Sequence, residues 1–362
     1  MPKLLIVIAR LNKGGTAQYI GELALQLPKH GYQVLIATGY VQGQEIEDEI
    51  TKKLPIKRIK NLGRKIDPIK DIKARAELKK LINEFKPDLI YSHTFKAGAL
   101  TRTIKTQIPI IHAFHGHLLD EPELAGAKVK ILAAIERKLA PKAKFLVTVG
   151  KKVGDDLLKK GVGKKSQYIS IAPGVKPLKL ERKSRAKKAL NIEKEKRPII
   201  VWLARVVAVK GPEKVIELAK AIPEARFLMA GGGDRFNQVK AKAPENLTLV
   251  GWQPATRMWS VADIAISTSI NEGMPIAIIE AQLAGIPAIV LRAGSVGEIV
   301  DHKKSGFVFN DLDQDFISTL KSLAGKRLLR IKLGRYGKKQ AQKEFDPGRL
   351  VQDHLKLFKK AI

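Results

Sequence analysis

The chain has 362 residues, enough for two domains of ordinary size, and 44% of them are apolar, enough for buried cores. It has no cysteine, which excludes a disulfide framework and any thiolate metal site. Lys and Arg number 67 against 35 Asp and Glu, a net charge of +32. Such a balance points to an anionic partner (lipid surface, nucleic acid or anionic substrate) or to a Lys-rich surface of the thermophile type.

Short apolar runs alternate with amphipathic stretches from the start of the chain. Leu4–Ala9, Val34–Thr38, Leu89–Ser92, Ile108–Ala113 and Phe145–Val149 read as buried strands, rich in Ile and Val and bounded by polar, Gly or Pro residues. Ala17–Leu27, Ile69–Phe85 and Lys128–Leu139 carry helical spacing between them. The first apolar run is too short for a signal-peptide core, and no run of eighteen apolar residues follows, so a cytoplasmic or peripheral location is expected. Ile169–Ala172 closes this series at Pro173–Gly174–Val175, and a basic stretch leads to Arg197. A second series follows: strands at Ile199–Ala204, Arg226–Ala230, Leu247–Val250, Ile264–Ser267, Ala288–Leu291 and Gly306–Val308. Helical patterns lie at Pro212–Ala221, Met274–Ala284 and Val296–Val300. From Leu323 the chain is helical and basic, broken by Pro347 and Gly348 before a last helix from Leu350 to Lys359. The fold class expected is α/β, with two doubly wound Rossmann-like domains facing across a cleft. Their limits are 1–174 and 175–345, and residues 346–362 form a helix expected to fold back on the first domain.

The densest signal is Ser269-Ile-Asn-Glu272-Gly-Met-Pro-Ile-Ala-Ile-Ile-Glu280. Pro275 suits the first turn of a helix, where its missing N–H costs nothing. The N–H groups of Gly273, Met274 and Ile276 would be unpaired at that helix start, which favours phosphate. Glu272 is placed to accept from sugar hydroxyls and Glu280 from ribose hydroxyls. Glu280 stands in an apolar helix, where a carboxylate needs a partner. Arg205 and Lys210 follow the strand Ile199–Ala204, at the strand end where open α/β sheets bind ligands, and can divide a diphosphate between them. Gly14 and Gly15 follow the first strand and admit close approach of a ligand, or else make a tight turn. Gly231 and Gly232 follow Phe227–Ala230 and line the same crevice, or else form a flexible loop. His112, His115 and His117 follow the strand at Ile108. Their spacing suits a sugar contact from His115, or a structural role, better than a metal.

Together these residues resemble the family 4 retaining glycosyltransferases of the GT-B fold, over nearly the whole chain. The Glu272…Glu280 pair and the Arg205…Lys210-Gly211 pair are its specific part. Gly14, Gly15, His115 and Pro173–Val175 support it. The resemblance implies that the second domain holds a nucleotide-diphosphate sugar, a UDP- or GDP-sugar, and the first domain an acceptor. It implies that Arg205 and Lys210 bind the diphosphate, Glu272 with Gly273 to Ile276 the sugar, and Glu280 the ribose. It implies that His115 meets the sugar near the reacting centre and that no metal is needed. The linker departs from the family pattern, with Ala172 and Pro173 before Gly174 where Asn is common.

No carboxylate nucleophile is evident in the first domain. Asp120 and Glu121 read as loop residues, and the resemblance implies substitution on one face of the sugar. The leaving diphosphate would be stabilised by Arg205, Lys210 and the helix start. Thr51–Asp88 holds thirteen basic residues against five acidic, and Lys176–Arg197 holds ten against three. Lys128–Lys144 mixes Lys with Ile131, Leu132 and Ile135, as an interfacial helix does, or else forms a solvated helical face. The basic runs lead us to expect an anionic membrane surface as a partner, at the inner face of the cell membrane, and the resemblance implies a lipid-linked or polysaccharide acceptor. Nucleic acid is not expected, because aromatics make up only 6% and do not interleave with the basic runs. The rival readings are a sugar-nucleotide epimerase of the same fold, a non-catalytic nucleic-acid or polyanion-binding protein, and a non-catalytic sugar-binding relative.

Overall fold

The run Leu4–Ile8 is 0–1% exposed, because its strand has neighbours on both edges and helices over both faces. Such a strand has no solvent side and reads as a continuous apolar run. The computed structural model describes residues 1–43, 45–63, 66–116, 119 and 126–362. His117, Asp120 and Glu121 lie outside the described residues. The chain divides into two compact units, one of residues 1–174 with 347–362, the other of residues 175–346.

The first unit holds seven parallel strands: β1 (Lys3–Ile8), β2 (Gln33–Thr38), β3 (Ile56–Arg58), β4 (Leu89–His93), β5 (Ile110–Phe114), β6 (Phe145–Thr148) and β7 (Tyr168–Ser170). Their order is β3-β2-β1-β4-β5-β6-β7. The connections reverse direction between β1 and β4, which opens a crevice at their carboxyl ends. Helices α1 (Gly15–Gln26), α2 (Pro68–Phe85), α3 (Phe95–Arg102), α4 (Ala127–Leu139) and α5 (Lys151–Lys159) make the crossovers. Asp67 caps α2, accepting from Lys70 N–H at 3.0 Å. A buried ion pair joins α3 to α4: Arg102 Nη2 lies 2.9 Å from both oxygens of Glu136.

The second unit begins after Gly174, and helix α6 (Lys183–Ala189) lies within the stretch read above as a basic linker. Six parallel strands follow: β8 (Ile199–Leu203), β9 (Arg226–Ala230), β10 (Leu247–Gly251), β11 (Ile264–Ser267), β12 (Ala288–Leu291) and β13 (Gly306–Phe309). Their order, β10-β9-β8-β11-β12-β13, puts the reversal between β8 and β11. The helices are α7 (Glu213–Ala221), α8 (Phe236–Ala241), α9 (Ala255–Val261), α10 (Ile276–Leu283), α11 (Gln314–Gly325) and α12 (Arg327–Glu344). The expected helix at Val296–Val300 is a single 3₁₀ turn, Val296–Glu298.

The last helix, α13 (Pro347–Ala361), belongs to the first unit. Leu350, His354, Leu357, Phe358 and Ala361 recur at helical spacing and are buried on one side of it. Phe358 meets the rings of Tyr32 and Tyr91, at centroid distances of 5.9 and 5.7 Å. Among the described residues no helix is long and apolar enough to cross a membrane.

Candidate active site

In the second unit the loops after β8 and β11, on either side of the reversal, carry Arg205 and Lys210 on one and Ser269 and Glu272 on the other. Lys210 Nζ lies 2.5 Å from Glu272 Oε1, and the Ser269 hydroxyl donates to the same oxygen at 2.8 Å. Residues that sequence patterns passed over tie the two loops together. Trp202 Nε1–H donates to Thr268 Oγ1 at 3.0 Å, and that hydroxyl reaches the carbonyl oxygens of Lys210 and Gly211 at 3.0 and 2.8 Å. Ile270 N–H donates to Val209 O at 2.9 Å. Arg205 is half-buried, two residues beyond β8.

Helix α10 starts at Ile276, and Pro275 stands before it as an extended cap residue with ψ 108°. The expected helix from Met274, with Pro275 in its first turn, is thus corrected. The reason is local: the chain enters α10 from an extended segment whose Gly273 carbonyl accepts from Ser295 N–H at 2.9 Å. The first bond of the new turn runs from Ile278 N–H to Pro275 O. The N–H groups of Gly273, Met274 and Ile276 therefore have no partner within the helix. Glu280, one turn further on, is 7% exposed. Its donor is Trp259 Nε1–H, at 3.3 Å. Burial, partly offset by this bond, pushes the Glu280 carboxyl up to about 7.

The glycines differ in what they adjoin. A Cβ on Gly231, whose φ is +137°, would stand 1.8 Å from Ala204 O, so this glycine lets the loops after β8 and β9 touch. Gly232 packs on Trp252, whose Nε1 would lie 2.5 Å from an added Cβ. For both, close intramolecular packing requires a glycine. Gly14 differs: it precedes α1 with φ +152°, and a Cβ there would meet nothing within 4 Å. Gly15 is the first residue of α1.

In the first unit the carboxyl ends of β4 and β5 bring together His93 and His115, with His93 Nδ1 2.9 Å from His115 Nε2. The Tyr19 ring stands edge-on to His115, at 4.9 Å and 88°. Tyr19 and Tyr91 hydroxyls each lie 3.2 Å from Nε2 of His354, on α13. Burial, reinforced by the nearby His354, holds His115 down at about 3, so its ring is neutral at physiological pH. His112 points elsewhere, with Nδ1 3.0 Å from the Ser92 hydroxyl. Thr94, next to His93, holds φ +66°, which a β-branched residue rarely adopts and which marks strain at this strand end. His93, Thr94 and His354 gave no spacing signal. The one available cue was that β4 ends in a histidine and a histidine directly follows the adjacent strand β5.

Residues 183–340 match the family described as Glycosyl transferases group 1, and residues 13–176 match Glycosyltransferase Family 4. The chain belongs to the family 4 glycosyltransferases of the GT-B fold. It is 26% identical over 298 residues to the UDP-Gal:alpha-D-GlcNAc-diphosphoundecaprenol alpha-1,3-galactosyltransferase of Escherichia coli, covering 75% of this chain and 76% of that one. Among solved structures, it superposes on sucrose-phosphate synthase from Thermosynechococcus elongatus with a TM-score of 0.84 at 18% identity, covering 99% of both chains. HepE of Anabaena, in complex with UDP and glucose, gives 0.83 at 16% identity, covering 99% of this chain and all of that one. This glycosyltransferase thus carries Arg205 and Lys210 on one loop at the reversal of its second sheet and Glu272 on the other, with Glu280 inside α10.

Proposed function

We propose that this glycosyltransferase moves a sugar, with retention at the anomeric carbon, from a UDP- or GDP-sugar to a lipid-linked or saccharide acceptor. The observation that carries the reading is the grouping of Lys210, Glu272 and Ser269 at the start of α10, with Glu280 buried in the helix behind them. Arg205 and Lys210 take the diphosphate, the first as a fork and the second as a point charge. The amides of Gly273, Met274 and Ile276 take partial negative charge at the helix start. Glu272, oriented by Lys210 and Ser269, accepts from sugar hydroxyls. Glu280 has one long N–H bond and so retains acceptor capacity for the two ribose hydroxyls. His115 donates to the sugar as a neutral imidazole.

The leaving diphosphate gains charge as the bond to the sugar breaks, and Arg205, Lys210 and the helix start are fixed donors for that charge. The acceptor hydroxyl attacks the face the diphosphate leaves and passes its proton to the departing diphosphate oxygen, so the bond to the donor breaks as the new one forms and no covalent enzyme intermediate forms. The reading needs no metal. A structural relative bound to UDP-glucose, and a sequence relative named for a diphosphoundecaprenol acceptor, support the donor and acceptor classes. A thermal-shift screen of UDP-, GDP- and ADP-sugars tests the donor. A cognate donor at about 100 times its Kd adds about 2.7 kcal/mol to the fold and raises Tm. No shift with any of them, together with undiminished transfer by Glu272→Ala, sinks the assignment.

A further inference from the structure

We propose that His93 is a positioning residue for His115: its Nδ1–H donates to His115 Nε2 and fixes His115 as the tautomer with its own proton on Nδ1. The inference rests on the reading of His115 as the histidine that meets the sugar.

The two rings share one hydrogen bond, His93 Nδ1 to His115 Nε2 at 2.9 Å, so one nitrogen carries the proton and the other accepts. His93 is fully buried, and its Nε2 has no hydrogen-bond partner among the described residues. If His115 donated, the His93 proton would sit on Nε2 as a buried N–H with nothing to receive it. Buried orphan N–H groups are rare and costly, whereas an unpaired ring lone pair costs less. The proton of His93 therefore belongs on Nδ1, and His115, neutral, carries its proton on its own Nδ1.

The surroundings hold both rings in place. Tyr91 lies against His93 at a centroid distance of 4.1 Å, and Tyr19 closes edge-on over His115. Both tyrosine hydroxyls lie 3.2 Å from His354 Nε2, whose single lone pair takes one of them, and the two hydroxyls are hydrogen-bonded to each other. His354 Nε2 is an acceptor, because His354 Nδ1 is within 2.8 Å of the Leu350 carbonyl and must be its donor. The C-terminal helix thus braces the pair through two phenols. The consequence for the reaction is polarity: His115 presents an N–H, suited to a sugar oxygen, and does not present a lone pair that could take a proton.

Protein labelled with ¹⁵N in its histidine rings decides the tautomers directly. Two-bond ¹H–¹⁵N correlations, assigned by the loss of signals in His93→Leu and His115→Ala, should show His115 Nε2 as the unprotonated nitrogen. A proton on His115 Nε2, or a His115 pattern unchanged in His93→Leu, overturns the proposal. Kinetics give a second readout, nucleoside diphosphate release from UDP-glucose and GDP-mannose. His93→Leu should lower kcat about tenfold with KM nearly unchanged. His93→Asn, whose amide N–H occupies the place of Nδ1, should restore most of it. Equal loss in both variants reduces His93 to packing and overturns the proposal. Unchanged turnover in His115→Ala refutes the role of His115, while the spectra still report where the His93 proton sits.

Discussion

A carboxyl group packed among Ile278, Ile279 and Ala281 holds its proton more tightly than one in water, and Glu280 does so up to about pH 7. Its unfolded value is 4.5, so between 4.5 and 7 the folded chain binds more protons than the unfolded one. Its contribution to stability therefore falls as pH rises through that window and is level above it. Hydroxyl donors from a ribose favour the ionised form, so nucleotide binding should release a proton and strengthen as pH rises through 7. Below 7 the affinity should drop by up to about tenfold per pH unit, and Glu280→Gln should flatten the dependence. Calorimetric titration of UDP or GDP in two buffers of different ionisation enthalpy measures both effects, and a wild-type affinity that does not change with pH contradicts the ribose assignment. Lys210 supports a different expectation. Lys210→Met leaves Glu272 with the Ser269 hydroxyl alone, and should lower kcat/KM by roughly 10²–10³ as a lost stabiliser of the leaving group. Glu272 and Glu280 could be singled out because one stands just before a helix start and the other is a carboxylate within an otherwise apolar helix. Trp259, Thr268 and His93 were not, since their partners are remote in sequence and only the fold brings them near.

Whole strands were easier to read than short helices, for a physical reason. Strands buried on both faces are continuous apolar runs, so β1, β4, β8 and β9 stand out, whereas β3 is Ile56-Lys-Arg58 and has almost no signal. Helix α6 buries only Ala186 along its length and looks like a charged linker. The shift of the α10 start beyond Pro275 depended on the segment that precedes it, which spacing alone does not encode. Two elements support quantitative expectations. Phe358→Ala on α13 removes a fully buried ring that packs on Tyr32 and Tyr91, and should cost about 3–5 kcal/mol. The loss should lower the melting transition of the first unit and leave the second in place, as hydrogen exchange resolved by unit would show. Gly231→Ala should destabilise the second unit by well over 1 kcal/mol, because the new methyl group meets Ala204 O and the backbone is in a left-handed conformation. An unchanged Tm in this variant would contradict the packing role of Gly231.

At the scale of the molecule, +32 charges exceed what one diphosphate requires. In the first unit the charge lies beside exposed apolar residues. Ile69 and Ile72, 69% and 71% exposed, stand on α2 among Lys70, Lys73, Arg75, Lys79 and Lys80. Ile131, 59% exposed, stands on α4 with Lys128 and Lys130. Helices α2, α3 and α4 pack in succession, so these residues belong to one layer of the same unit. Exposed Ile between Lys residues suits an interface, where the apolar side chain enters the headgroup region and the amines meet lipid phosphate. A thermophile-type surface would gain acids along with Lys and would leave the Ile without a use. Each basic residue near an anionic surface adds roughly 1 kcal/mol, screened beyond a Debye length of about 8 Å at physiological ionic strength. Flotation with vesicles of phosphatidylcholine and phosphatidylglycerol should therefore carry the protein upward at low salt. Vesicles of phosphatidylcholine alone should not. Binding should fall with added salt, and Ile69→Ser with Ile72→Ser should weaken what remains at physiological salt. Flotation indifferent to both lipid charge and salt would remove the membrane from the account and leave the acceptor a soluble saccharide.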